Sequence, residues 1–168
     1  METLVVMLIF SMVAGSLYAT VAVGETSWQV NKTKIEVYQE LRKAMDWMKY
    51  ELQQAGDSSI VDVPADGVTC PCTVITFKIP DPVSPIVAGD INWSANTIQF
   101  ALGGADETDL QRTEAGVTRT LATNIQSLTF TRQVASSNIL EVSVQAQKDT
   151  VKGIPLTSQL DFEVQLRN

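Results

Sequence analysis

Histidine is absent from this 168-residue sequence, and cysteine occurs only twice. Histidine is the commonest general acid–base group and metal ligand in proteins, so its absence argues against many hydrolytic and metal-dependent reactions. The sequence also has no phosphate-binding glycine loop, no nucleophile-elbow motif and no zinc-peptidase motif. We therefore predict that the protein is not an enzyme and uses no cofactor.

Basic residues are scarce as well. Lys and Arg together number 12, against 19 Asp and Glu, and the formal net charge is -7. Nucleic-acid binding depends on clustered basic side chains that neutralise phosphate groups. The charge balance therefore predicts that the protein has no nucleic-acid partner.

The two cysteines, Cys70 and Cys72, flank Pro71 in the stretch GVTCPCTV. They are too few for a usual zinc site, which takes about four ligands. They are also one residue closer together than the cysteines of a C-x-x-C redox motif. A disulfide between them needs a Cα separation of ~4.4–6.8 Å, which is tight across one residue. A local disulfide, which an oxidising compartment would favour, and a pair of plain thiols both stay open.

The acidic stretch GGADETD supplies carboxylates at Asp106, Glu107 and Asp109. Calcium prefers such oxygen ligands, but the spacing of these residues matches no EF-hand loop. We predict a solvated acidic turn rather than a calcium site at this stretch, and no metal site elsewhere.

What the sequence does contain is a long uncharged run. Thr3 to Val23 gives 21 residues without a charge, and Glu2 precedes them. A helix of about 20 residues crosses the hydrocarbon core of a bilayer. No Lys or Arg occurs before Lys32, so the basic region of a cleavable signal peptide is missing. We predict a retained transmembrane helix, with a cleaved signal peptide as the alternative.

A helical pattern continues past the uncharged run. Apolar residues recur at steps of three and four, which is typical of a helix with one apolar face. The predicted face consists of Tyr38, Leu41, Met45, Met48, Leu52 and Ala55. Gly56 then supplies a stop signal. The sequence therefore predicts one helix from about residue 2 to about residue 55, roughly 80 Å long at the usual rise per residue.

From residue 57 the apolar period changes to two, which is typical of strands with one buried face. The alternating residues are Ile75, Phe77 and Ile79; Ile98, Phe100 and Leu102; Leu128 and Phe130; Leu140, Val142, Val144 and Ala146; and Leu160, Phe162, Val164 and Leu166. We predict an α+β protein in which the long N-terminal helix packs on one meandering antiparallel sheet. The predicted regions are an apolar helix at 1–24, its amphipathic continuation at 25–56 and a β-rich globular head at 57–168.

These parts resemble the type IV pilins and pseudopilins. The start, METLVVMLIF, looks like the family's N-terminal motif entered at its fourth residue, so that Glu2 matches the family's glutamate. Farther along, LRKAMDWMKYELQQAG, GVTRTLATNIQSLTF, NILEVSV and LDFEVQLRN look like segments of the W-type minor pilins and J-type minor pseudopilins. The resemblance covers nearly the whole chain and is most specific at its two ends. No basic leader precedes the motif, so we assign no processed or methylated terminus.

The resemblance implies a structural subunit of a type IV pilus or pilus-like filament that polymerises through its N-terminal helix. Glu2, Thr3, Leu4 and Gly15 are the implied assembly residues, and Glu2 is expected to set the register by pairing with the terminal amine of a neighbouring subunit. The implied partners are copies of the chain, other pilins, the pilus assembly machinery and a prepilin peptidase. The implied location is the inner membrane, with a single pass, before assembly and an extracellular or periplasmic filament on the bacterial surface afterwards.

Three other functions stay open. The likeness to low-copy subunits is compatible with a minor pseudopilin of a type II secretion system. A membrane-anchored binding domain that never polymerises would need the helix but not Glu2. A thiol oxidoreductase has only the Cys-Pro-Cys stretch in its favour.

Overall fold

A single α-helix, α1 (Glu2–Leu52), takes up nearly the first third of the chain. The computed structural model describes residues 2–65, 72–87, 90–133 and 136–167. We expected local unwinding at Gly15 and Gly24, because glycine costs ~1 kcal/mol relative to alanine inside a helix. The helix instead runs through both positions without interruption.

The helix ends at Leu52, slightly before the predicted end. The amide of Ala55 donates to the carbonyl of Leu52 at 3.0 Å, which is the bond of a tightened last turn. Ala55 itself is fully buried. Gly56 follows, and a Cβ at this position would lie 2.4 Å from the ring of Trp93, so a larger residue does not fit. A short 3-10 helix, Asp57–Ser59, then leads into the head.

The second half of α1 packs on the head, and four of the six predicted face residues are buried: Leu41, Met48, Leu52 and Ala55. The prediction was wrong for Tyr38, which is 46% exposed, and for Met45, which is half-buried. The buried helix residues are Thr33, Val37, Leu41, Ala44, Met48, Glu51 and Leu52. Val37 and Ala44 are buried in addition to the predicted residues, in the half of the helix that contacts β6, β8 and β9. Tyr38 lies at the flank, where its hydroxyl can meet water.

Three antiparallel sheets make up the part of the head that the structure describes. Their strands are β1 (Ile75–Phe77), β2 (Ile86–Val87), β3 (Asp90–Ile91), β4 (Ile98–Gly103), β5 (Asp109–Glu114), β6 (Val117–Ala122), β7 (Ile125–Gln133), β8 (Ser136–Asp149) and β9 (Pro155–Gln165). A four-stranded sheet has the order β1-β4-β5-β6, a two-stranded ribbon joins β2 and β3, and a three-stranded meander has the order β7-β8-β9.

The prediction of one continuous sheet was wrong, because β6 and β7 belong to different sheets. Only Thr123 and Asn124 separate these two strands, and Asn124 has a φ of 60°, in the left-handed region. The chain therefore turns out of the first sheet, and β7 pairs with β8 instead. Helix α1 contacts β6 in one sheet and β8 and β9 in the other, so it covers both.

The hydrophobic core lies between α1 and the two larger sheets. The inward positions predicted from alternation are buried in β1, β4, β7 and β8, and also at Val164 and Leu166. Phe77 and Phe100 pack against each other with ring centroids 5.6 Å apart, a contact worth ~0.5–1.5 kcal/mol beyond its buried area. The partly buried predicted positions are Ile79, Leu102, Leu160 and Phe162. The predicted fold class, α+β with the long helix packed on antiparallel strands, is confirmed.

Ion pairs tie α1 to the sheets at two levels. Near the end of the helix, Arg112 Nε donates to both carboxylate oxygens of Glu51, at 2.8 and 2.9 Å, and Arg112 also contacts Glu114 at 2.8 Å. Nearer the N-terminus of the helix, Lys148 Nζ donates to Glu36 at 2.7 Å. The head is therefore fixed to the second half of the helix at two separate levels.

The last described residues return to the end of α1. The amide of Arg167 donates to the carbonyl of Ala55 at 2.9 Å, and the amide of Asp57 donates to the carbonyl of Arg167 at 3.1 Å. These bonds form a parallel bridge between Gly56 and Arg167. The described part of the head therefore begins and ends at the same place.

Candidate assembly surface

The first half of α1 is an apolar rod without any cover from the head. Every residue from 2 to 25 is exposed, including 13 large hydrophobic residues between Leu4 and Val23. At ~1.5–3 kcal/mol for each buried side chain, removing these residues from water is worth roughly 20–40 kcal/mol. This exceeds the ~5–15 kcal/mol by which a typical domain is stable, so the rod requires lipid or other helices around it.

Three hydroxyl groups on the rod are satisfied within the helix. Ser11 and Ser16 donate to carbonyls one turn earlier at 2.8 Å, and Thr20 does so at 2.9 Å. Such back-bonding removes the need for water at these side chains. These three positions are therefore compatible with an apolar environment, in which every polar group must find an internal partner.

Three of the predicted assembly residues, Glu2, Thr3 and Leu4, lie together in the first turn of α1 and are exposed. The carboxylate of Glu2 stands at the positive end of the helix macrodipole, where a negative charge is favoured. Among the residues that the structure describes, none forms an ion pair with Glu2. The pairing of Glu2 that the resemblance implies is therefore one that only another molecule or the chain terminus can supply.

The fourth predicted residue, Gly15, lies 13 positions beyond Glu2, roughly 20 Å along the helix axis. A Cβ added at Gly15 would meet nothing within 4 Å, so the backbone is open to a neighbour there. Ser11 and Ala19 lie one turn on either side of Gly15, on the same face. Sequence reasoning missed Ala19, although the spacing of four between small residues could have indicated it. The predicted residues therefore form a line along the rod and not a pocket.

The outward face of the second half of α1 extends the exposed apolar surface. Trp28 is 71% exposed, and Ile35, Trp47 and Tyr50 are also exposed large side chains on the helix. Ile35 also lines a shallow groove with Tyr38 and other residues of the helix and of β9. Sequence reasoning assigned Tyr38 to the core and missed this second surface.

Electrostatics strengthen both ion pairs that hold the helix to the head. Two effects of Lys148 hold the pKa of Glu36 below its ordinary value: the larger is the hydrogen bond that Lys148 donates, and the second is its positive charge. Burial opposes the charge of Arg112, but its hydrogen bonds to Glu51 and Glu114 outweigh burial and raise its pKa. The charged form of each group is thus favoured by its partner across the interface.

The acidic stretch between β4 and β5 forms a turn in which Gly104 and Glu107 have positive φ values, 88° and 55°. Asp109 already belongs to β5, where it pairs with Gly103. Across the described ranges, no group of three or more His, Cys, Asp or Glu residues is placed to hold a metal ion.

The choice between a disulfide and two plain thiols at Cys70 and Cys72 cannot be followed, because Cys70 lies outside the described residues. Cys72 is described, and its backbone pairs with Phe130 of β7 through bonds of 3.1 and 2.8 Å. Cys72, the last residue of the Cys-Pro-Cys stretch, is therefore fixed to the three-stranded sheet by backbone hydrogen bonds.

Comparisons with protein-family profiles, with curated proteins and with solved structures give no match to this chain. The architecture itself, a long N-terminal helix followed by antiparallel sheets, is pilin-like. Within the described residues, α1 is the one helix long and apolar enough to cross a membrane, and it is compatible with a membrane anchor or a signal-like segment.

Proposed function

We propose that this protein is a structural subunit of a type IV pilus or a related pilus-like filament, which polymerises through the apolar half of α1. The observation that carries the proposal is the division of one continuous helix into two halves. The first half, residues 2–25, has no cover, whereas the second half is bound firmly to a folded head. This arrangement suits a protein that packs the exposed half of its helix in a bundle of helices and presents its head outside that bundle.

Before assembly, the subunit would be held in the inner membrane by a single pass, with the head outside the cytoplasm. Lipid tails are as apolar as the rod, so entry into a filament exchanges lipid contacts for helix contacts with little gain from burial. Packing then decides the geometry. The small residues Ser11, Gly15 and Ala19 support this step because they allow neighbouring backbones to approach closely.

Glu2 would provide the register between subunits. A carboxylate surrounded by apolar helices is costly unless it is paired, and truncation of one partner of a buried pair costs ~3–5 kcal/mol. The terminal amine of a neighbouring subunit is the partner that the family resemblance suggests. Thr3 and Leu4 share the first turn with Glu2 and would contact the same neighbour. The assembly machinery and a prepilin peptidase enter the proposal through the same resemblance.

The test is to replace Glu2 with alanine and to count filaments by electron microscopy. Glu25→Ala is the matched control, because Glu25 is an exposed acid on the same helix just beyond the uncharged run. We expect Glu2→Ala to abolish or strongly reduce filaments while the protein remains in the membrane, and Glu25→Ala to assemble normally. Normal filament yield from Glu2→Ala would refute the register role.

The copy number in the filament separates a main subunit from a low-copy minor pseudopilin. The resemblance of the C-terminal stretch LDFEVQLRN favours the low-copy role. Quantitative mass spectrometry of sheared surface filaments would give an abundant chain for a main subunit and a trace chain for a minor one.

A second candidate function is a membrane-anchored binding domain that never polymerises. A polar cavity of ≈ 340 Å³ favours it, with Glu36 and Lys148 on its walls beside Thr123 and Asn124. This volume lies at the lower end of ordinary ligand sites, which span ~300–1,000 Å³. A chain that stays monomeric in mild detergent and yields no filament under any condition would support this candidate over the filament subunit.

A further inference from the structure

The hairpin between β8 and β9 reaches down along α1 to the edge of the uncharged run. Lys152, at the tip of this hairpin, donates from Nζ to the hydroxyl of Thr26 at 2.5 Å. Thr26 lies three residues beyond Val23, which is about 4.5 Å along a helix axis. The amino group of Lys152 is therefore almost level with the end of the predicted membrane span, and the hairpin tip lies within one lysine side chain of that level.

The tip, residues 150–154, is held in one conformation by its own hydrogen bonds. The amide of Gly153 donates to the carbonyl of Thr150 at 2.8 Å, and the amide of Ile154 donates to the Thr150 hydroxyl at 3.0 Å. Thr150 is buried, and Gly153 takes the positive φ, 73°, that the turn requires. The side chains of the tip are thus presented outward from a closed turn.

What the tip presents is apolar. Val151 is 86% exposed and Ile154 is 48% exposed, although both flank the single basic residue Lys152. Trp28 is exposed at nearly the same height on the helix, two residues beyond Thr26. Tryptophan is enriched at membrane–water interfaces, where its ring matches the mixed polarity of the headgroup layer. Two aliphatic side chains, a lysine and a tryptophan therefore occur together at one level.

That level coincides with the lipid headgroups if α1 spans a bilayer. The hydrocarbon core is ~30 Å thick and the whole bilayer ~40–45 Å, which leaves roughly 5–7 Å for each headgroup layer. The amino group of Lys152, beside Thr26 at about 4.5 Å above the end of the span, lies within this layer, and the tip that carries it is within reach of the same layer. A spanning helix is also tilted by ~20° on average, and a tilt toward the hairpin would bring the tip still deeper.

We propose that the β8–β9 hairpin tip is a second membrane contact, in which Val151 and Ile154 enter the outer headgroup layer and Lys152 faces lipid phosphates. This inference rests on the proposed membrane-anchored state. The contact would fix the direction in which the head leans before assembly, because the hairpin lies on one side of the helix only. Extraction of the subunit from the membrane would then have to break it.

The experiment uses the full chain in vesicles of phosphatidylethanolamine and phosphatidylglycerol, with p-benzoylphenylalanine placed at one position at a time. Light-induced adducts to lipid are then identified by mass spectrometry. Position 151 tests the proposal. Position 83 is the matched control, because Val83 is also a valine and is 87% exposed, but it lies in the part of the head next to the far end of α1. Position 17, within the uncharged run, reports the insertion of the helix.

We expect lipid adducts at position 151 several-fold above those at position 83, together with strong adducts at position 17. Adducts at position 17 without adducts at position 151 above the position 83 level would overturn the hairpin contact and leave the anchored state intact. Absence of lipid adducts at all three positions would refute the anchored state as well. Adducts from position 151 to a second protein chain in place of lipid would also overturn the proposal.

A second variant tests the side chains themselves. Ile154→Asp, added to the chain that carries the label at position 151, places a charge in the headgroup layer and should lower the lipid adducts several-fold. Val61→Asp is the control, since Val61 is an exposed valine beside the far end of α1. Equal adduct yields from the two aspartate variants would count against an apolar contact with the membrane.

Discussion

The ion pair between Glu51 and Arg112, in which one N–H is shared by both carboxylate oxygens, should be the strongest polar link between the helix and the head. The two side chains are 10% and 13% exposed, and Arg112 donates to both carboxylate oxygens of Glu51. Removing one partner of a buried ion pair costs ~3–5 kcal/mol because the other charge is left unpaired. Arg112 retains Glu114, which is 36% exposed, so we expect Glu51→Ala to lower the unfolding free energy by about 2–3 kcal/mol.

A second variant separates the pair from the space it fills. Replacing both Glu51 and Arg112 with methionine leaves neither charge behind and keeps most of the volume. We therefore expect this double variant to lose less stability than Glu51→Ala alone, because the unpaired charge is the main cost. Asp46→Ala is the control for loss of an exposed acid from the same helix, and its effect should stay within about 0.5 kcal/mol.

The assay is urea unfolding of the full chain in mild detergent, with tryptophan fluorescence as the signal that reports unfolding. The slope of free energy against urea should be the same for all variants, so that midpoints can be compared. A loss below about 0.5 kcal/mol for Glu51→Ala would place it with ordinary surface changes and refute the buried link. A double variant less stable than Glu51→Ala would refute the assignment of the cost to an unpaired charge.

Three further predictions follow from the described contacts. Leu41→Ala should lower the unfolding free energy by ~2–5 kcal/mol and Tyr38→Ala by less than ~1 kcal/mol, because Leu41 is buried and Tyr38 is exposed. Similar losses for both variants in urea unfolding would show that Tyr38 lies in the core with Leu41, as the apolar pattern predicted. The pKa of Glu36 is lowered from its ordinary value of 4.5, so the folded state binds fewer protons and the contact with Lys148 stabilises above that pH. The stability difference between the native chain and Glu36→Gln should thus be present at neutral pH and disappear as the pH falls through the lowered pKa. A difference that stays constant throughout an acid titration of the folded chain would contradict this. Gly15→Leu should leave the urea midpoint of the head unchanged but reduce filaments in electron micrographs, whereas unchanged filaments would show that no close helix contact occurs there.

The helix and most strands could be predicted because their apolar periodicity is strong and local. The uncharged run and the stripe that follows it give a helix, and the alternation in β8, from Leu140 to Ala146, gives a buried strand face. Strands β5 and β6 were not predicted. Only Leu110 of β5 and Ala122 of β6 are buried, so neither strand shows the alternation that marks the others.

The helix face and the division of the sheet could not be read from local pattern. Tyr38 and Met45 fit the periodicity as well as Val37 and Ala44 do, and the choice between them depends on which side of the helix contacts β6, β8 and β9. The change of sheet depends on the backbone conformation of one residue, Asn124. The uncovered apolar half of α1 was predicted from the sequence. The geometry of an assembly contact depends on two molecules, so the fold of one chain does not determine it.

The bridge between Gly56 and Arg167 has a mechanical consequence. Two backbone hydrogen bonds join the segment just beyond α1 to the segment just beyond β9, and the two segments run parallel there. Tension applied along the rod would pass through these bonds in shear directly into the three-stranded sheet. The described part of the four-stranded sheet would take up load by a separate route, through the contact of α1 with β6 and the ion pair of Glu51 with Arg112 in β5.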